Sequence, residues 1–122
     1  MAWEVEFDET FAAEFDELPE TVRDELLAHA LLLQDFGPHL KRPHADTLNG
    51  SKHANMKELR FGANDGVWRV AYAFDPRRAG ILLVAGDKSG SSGKRFYKRL
   101  IKTADERFDA HLTALKMKGG PK

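Results

Sequence analysis

Hydrophobic and polar positions change period along this chain, and each change predicts an element. Residues 3–7, Trp-Glu-Val-Glu-Phe, alternate and predict a short first strand. From Phe11 the spacing turns helical: Phe11, Phe15 and Leu18 predict a short amphipathic helix that Asp8 can cap. A second helix carries Val22, Leu26, Ala30 and Leu33 in one stripe, broadened by Leu27 and Leu31. Pro19 suits its first turn, Glu20 its positive end, and Gly37-Pro38 its stop. Together they predict a helical hairpin packed on a sheet. Near the end, Phe96, Leu100, Ala104, Phe108, Leu112 and Leu115 predict a final helix from about Lys94 toward Lys116.

Between these helices, residues 56–88 hold three strand-like runs separated by two turn signals. The middle run, Val67 to Phe74, alternates strictly: Trp68, Val70, Tyr72 and Phe74 on one face, Val67, Arg69, Ala71 and Ala73 on the other. The bulky face should meet the core. A turn centred on Asn64-Asp65 sets Phe61 opposite Trp68, Leu59 opposite Val70 and Lys57 opposite Tyr72 on the bulky side. It sets Arg60 opposite Arg69, and Glu58 opposite Ala71, on the small-residue side. A slip of one residue would drive Arg60 among the aromatics, so the pattern selects this register. The third run, Ile81 to Ala85, is continuously apolar, as a strand covered on both faces should be. A turn centred between Arg77 and Arg78 would place Gly86 opposite Arg69, leaving room beside it, and Lys88 opposite Val67 on the same face.

At 122 residues without cysteine, the chain is expected to form one domain over residues 1–117, with a disordered tail at 118–122. No apolar run reaches the roughly 18 residues of a membrane span, and the acidic start is unlike a secretory signal, so a soluble cytoplasmic protein is expected. Zero net charge conceals a segregation. Residues 1–36 hold eleven acids and one base, residues 37–85 eight bases and four acids, and residues 86–122 ten bases and four acids. Either the later part of the chain meets a polyanion, or the acidic helices neutralise the basic one.

Two arginines directly opposed in a sheet repel, yet they make sense with a phosphate between them. With Lys88 on the same face, and Tyr97 or Arg95 within reach from the final helix, a phosphodiester site is a candidate. Metal-free RNA cleavage needs the 2′-hydroxyl deprotonated, the phosphorane charge stabilised and the leaving 5′-oxygen protonated. Fixed guanidinium groups serve the second need. Tyr97 is a candidate base, if cations lower its pKa, or a stacking platform; Lys88 or an arginine is a candidate for holding the leaving oxygen. The structural alternatives are a solvated Arg69 on an open face, a Glu58–Arg60 ion pair, Tyr97 at the core edge, and Lys88 as an ordinary strand-end charge.

Residues 38–55 read as an irregular connection carrying Lys41, Arg42 and Lys52, which could touch a nucleic-acid backbone. Of five histidines, His39, His44 and His53 lie there, while His29 and His111 lie on helices; no metal-ligand spacing occurs, and neither a metal nor a cofactor is expected. His53, just before the strand bearing Arg60, is a candidate acid or base. A nucleophile elbow and a phosphate-binding loop are both absent from the sequence.

The segments LNGSKHANMKELRF, DGVWRVAYAFDP, ILLVAGDKSG and KRFYKRLI, with Lys57-Glu58-Leu59-Arg60, Trp68-Arg69 and Gly86-Asp87-Lys88 as the specific part, resemble the HigB-like, phage-derived branch of the RelE/ParE toxin superfamily. The resemblance runs from about Val5 to Leu115. It implies an α+β microbial RNase fold: an antiparallel sheet, the N-terminal helical hairpin on one face, and a C-terminal helix. It also implies a type II toxin that cleaves mRNA, usually in the ribosomal A site, silenced by a helix-turn-helix, HigA-like antitoxin and monomeric alone. By that likeness Arg69 is the phosphate-binding arginine, Lys88 the basic residue past the central strands, Tyr97 the catalytic aromatic and Arg60 a basic strand position. Glu58 stands where RelE has lysine, and is either a base or an orienter of Arg60. Lys52, Lys57, Lys94, Arg95 and Lys98 are the expected RNA-binding cations. The alternatives are a ParE-like gyrase poison, which needs no such cation cluster, and a non-catalytic RNA-binding module.

Overall fold

The computed structural model describes residues 2–119. Strand β1 (Glu4–Phe7) leads into helices α1 (Glu9–Asp16) and α2 (Glu20–Phe36), then a 3-10 turn at Gly37–His39. Strands β2 (Ala45–Thr47), β3 (Lys57–Ala63), β4 (Gly66–Phe74) and β5 (Ala79–Asp87) follow, and α3 (Gly93–Gly119) completes the fold. Asp8 caps α1 as expected, its Oδ2 accepting from the Phe11 N–H at 3.0 Å. Helix α3 runs through Lys118 and Gly119, where a tail was expected; residues 120–122 of that tail lie outside the described residues.

The sheet order is β1-β5-β4-β3-β2. The α+β class stands as expected, with one difference: β1 pairs with β5 in parallel, so the sheet is mixed. The chain crosses from β1 through the helical hairpin and the other strands before β5 returns beside it, and a pair that distant in sequence can take either direction.

Between β3 and β4 the register is the expected one, with Arg60 opposite Arg69 and Phe61 opposite Trp68. Asn64 and Asp65 at the turn both have positive φ, 51° and 59°. That is the primed two-residue turn whose twist matches an antiparallel pair. Between β4 and β5 the expected register holds only at the Gly86 end. There Arg69 faces Gly86, and the Lys88 N–H donates to Val67 O at 2.7 Å. A bulge lies between Ala71 and Tyr72, beyond which Tyr72 faces Leu82, so the register near Arg77 is shifted by one. The extra residue lets both Leu83 and Val84 pack toward α3 while Leu82 and Ala85 pack toward α1 and α2. A continuously apolar strand carries no alternation from which that reset could be read.

Two cores flank the sheet. Phe11, Val22, Leu26 and Leu33 of the hairpin pack on Leu59, Phe61, Val70, Tyr72 and Leu82. On the other face Leu100, Ala104 and Phe108 of α3 pack on Ala71, Ala73, Ile81 and Leu83. The small-residue face of β4 is therefore a bed for a helix. The acidic hairpin and the basic helix lie on opposite faces, joined mainly through Arg107, which bonds Glu14 at 2.8 and 2.6 Å and Leu83 O at 2.8 Å. The expectation of general neutralisation between helices does not hold.

Candidate active site

Strand alternation puts Glu58 and Arg60 on the α3 face of β3, and pairing puts Arg69 of β4 directly across from Arg60. Glu58 Oε2 accepts from Arg60 Nη1 at 2.7 Å. Glu58 Oε1 lies 3.9 Å from Arg69 Nε and has no hydrogen-bond partner among the described residues, although Glu58 is only 3% exposed. Arg69 donates from Nε to Tyr97 Oη at 3.2 Å and from Nη1 to Trp68 O at 2.9 Å. Lys88 Nζ stands 5.5 Å from the Tyr97 ring centre. Glu58, Arg60, Arg69, Tyr97 and Lys88 thus form one continuous cluster, and the carboxylate between the opposed arginines offsets their repulsion.

The surroundings of Arg69 rule out its structural alternative, a solvated side chain on an open face. It is 7% exposed, lying beneath the first turns of α3 with Tyr97 closing over it. Arg60 is the more accessible of the two, its side chain 22% exposed. Nor does Gly86 leave room beside Arg69. Phe96 fills that space, and a Cβ on Gly86 would come within 2.8 Å of its ring.

Burial pushes the Tyr97 phenol above its ordinary pKa; the hydrogen bond from Arg69 opposes this and Glu58 adds to it. A cation-lowered phenolate was the condition for Tyr97 as a base, and the opposite shift makes it a proton-holding donor. A cavity of about 300 Å³ opens onto Glu58, Arg60 and Tyr97, walled by Arg42, Asp46 and Asn49. Asp46 accepts from Arg42 Nε at 2.8 Å, and that bond chiefly holds its carboxyl below the usual range. Neither Asp46 nor Asn49 was singled out in the sequence, because β2, which brings this segment to the sheet edge, is three residues long and too short to show a period.

The expected RNA-binding cations do not share one surface. Lys94 and Lys98 are exposed on the first turns of α3, beside Tyr97 in sequence. Arg95 instead lines a second hollow of about 370 Å³ with Asp87, Ser89, Ser91, Phe96 and Arg99. Lys52 forms an ion pair with Asp109 of α3. Lys57 is a correction: alternation turns it to the α2 face, away from Arg60, where Nζ donates to Pro38 O at 3.2 Å. His53 is likewise turned to α3, with Nε2 2.8 Å from Asp109 Oδ1 and its ring edge-on to Phe108. Among the described residues, no group of three or more carboxylates and imidazoles is arranged to hold a metal ion, and no helix is long and apolar enough to cross a membrane.

The model of the phage-derived Gp49-like family matches residues 13–109. Two Mycobacterium tuberculosis proteins named as toxins, HigB2 and HigB3, are each 46% identical to this chain, over 82 and 83 residues. The alignments cover 66% and 68% of this chain; the chain spans only 40% of the length of the first and 70% of the second. Among solved structures, a mutant of the Escherichia coli toxin RelE in the free state superposes with a TM-score of 0.63 at 18% identity, covering 88% of this chain and 98% of that one. The archaeal RelE of Pyrococcus horikoshii, solved with RelB, gives 0.54 at 16% identity, covering 75% of this chain and all of its own. At such identities the superpositions speak for the fold.

Proposed function

This chain belongs to the phage-derived Gp49-like family, the HigB-like branch of the RelE superfamily, and from that premise we propose that it is the toxin of a type II toxin-antitoxin pair acting as an endoribonuclease on mRNA. The observation that carries the reading is the contact chain Arg60–Glu58–Arg69–Tyr97 at the mouth of a cavity walled by cations and polar groups.

In the proposed reaction the Glu58 carboxylate, whose Oε1 has no partner at full hydrogen-bonding distance, takes the proton of the 2′-hydroxyl. The freed oxygen attacks phosphorus and the bond to the 5′-oxygen breaks, leaving a 2′,3′-cyclic phosphate and a 5′-hydroxyl end. Arg60 and Arg69 stabilise the charge that builds on the phosphorane. Tyr97, which holds its proton, passes it to the leaving 5′-oxygen, and Lys88 steadies the negative charge left on the phenol. Glu58 returns to its carboxylate by releasing its proton to water, and the Tyr97 phenolate takes a proton back from water, which closes the cycle. Lys94, Lys98 and Arg95 hold the flanking backbone. The reaction is read as ribosome-dependent, in the A site of the cytoplasmic machinery, and the silencing partner as a helix-turn-helix antitoxin; the RelE–RelB complex of the archaeal structure supports an antitoxin partner in this fold.

Inducible expression with primer extension on cellular messages tests the reading. Growth arrest should coincide with new 5′ ends inside open reading frames, and both should vanish with Arg69→Ala or with the antitoxin co-expressed. Arrest with intact messages would refute it, and DNA breakage in their place would favour the gyrase-poison alternative.

A further inference from the structure

We propose that the Glu58 carboxylate occupies the seat of the scissile phosphate, so that RNA enters the site by displacing it. Three features of the geometry point there. The opposed Arg60 and Arg69 form a pair suited to two oxygens of one anion, and Glu58 supplies two: Oε2 at 2.7 Å from Arg60, Oε1 at 3.9 Å from Arg69. The second oxygen is buried and has no partner at full hydrogen-bonding distance, with only Arg69 and the Tyr97 hydroxyl nearby, and an under-satisfied buried acceptor is costly for stability. Finally, the cavity is lined by Glu58, Arg60 and Tyr97 but not by Arg69, which bonds the Tyr97 hydroxyl. A phosphate arriving through the cavity meets Arg60 at once and meets Arg69 only after Glu58 swings aside.

The swing has a second use. A carboxylate displaced from two guanidinium groups has its oxygens free to accept a proton next to the incoming ribose. Glu58 is then a counter-ion in the empty site and a proton acceptor in the filled one. Because one anion replaces another, binding gains little net Coulomb energy, and the cleaved end leaves easily.

The identity of the ligand rests on the nuclease reading, but the seat itself can be tested with inorganic phosphate and with a 2′-O-methyl oligonucleotide, which offers the backbone without the nucleophile. Titration calorimetry on Glu58→Gln should show both probes binding roughly tenfold or more tighter than to the unsubstituted protein, as expected for removing a close like charge. Adding Arg60→Gln should cancel the gain. In the cleavage assay Glu58→Gln should lower KM and kcat together. Affinity that is unchanged or weaker would overturn the proposal. Should Glu58→Gln fail to fold, Glu58→Asp withdraws the carboxylate by one methylene, and a smaller gain is expected; none would overturn it. Cleavage by the unsubstituted protein without any gain in the variants removes the seat and leaves the nuclease. A gain without cleavage keeps the seat and removes the nuclease.

Discussion

Arg69→Ala removes the guanidinium that holds Tyr97 and faces Glu58, and cleavage of cellular messages is expected to fall ~100- to 1000-fold. Arg69→Lys should recover little, because one ammonium on a longer stem cannot bond Tyr97 Oη and Trp68 O in the same plane. Primer extension across the three proteins checks both. Asp75 offers a prediction about stability. Burial by itself would raise its pKa, but hydrogen bonds from His111, Arg77 and the Ala79 N–H outweigh burial and hold it below 3.8. A carboxyl depressed in the folded state contributes stability above its unfolded pKa, and that contribution is lost as pH falls through the lower, folded value. Asp75→Asn should therefore cost about 1–3 kcal/mol near neutrality, with the gap to the parent closing below pH ~4. Urea unfolding across a pH series measures it.

At the scale of elements, everything at the site depends on how α3 lies on the sheet. Phe96 rests on the bare backbone of Gly86, and Tyr97 follows it over Arg69. Gly86→Ala should lift the first turns of α3, costing about 1–3 kcal/mol as overpacking and lowering activity beyond what the lost stability explains. Thermal unfolding with cleavage measured well below Tm separates the two. The β3–β4 hairpin was legible because its residues alternate, and a slip would have buried Arg60. The covering of Arg69 was not, since the stripe of α3 states that the helix packs without stating which face receives it. Edge strand β2 and the bulge in β5 escaped for related reasons: three residues show no period, and an unbroken apolar run fits either register.

Across the whole molecule, the sheet separates an acidic helical hairpin from a basic helix. Lys88, Lys94, Arg95, Lys98, Arg99 and Lys102 form no ion pair within 4.0 Å among the described residues, which leaves them for a polyanion. Lys94→Glu with Lys98→Glu should weaken RNA binding and flatten its dependence on salt by about one unit of slope per lost phosphate contact, whereas Asp24→Lys on α2 should leave that slope unchanged. Binding measured from low to moderate salt distinguishes them.

The linear chain by itself determined the strands and helices with a visible period, the turn at Asn64-Asp65, the confrontation of Arg60 with Arg69, and the segregation of charge, because each follows from neighbours within one element or one hairpin. Tertiary packing alone decided that Arg69 is enclosed, that Glu58 stands between the arginines with an oxygen lacking a close partner, and that Tyr97 keeps its proton. Those outcomes depend on which surfaces meet across the sheet, and contacts between residues far apart in the chain are set by the packing of whole faces.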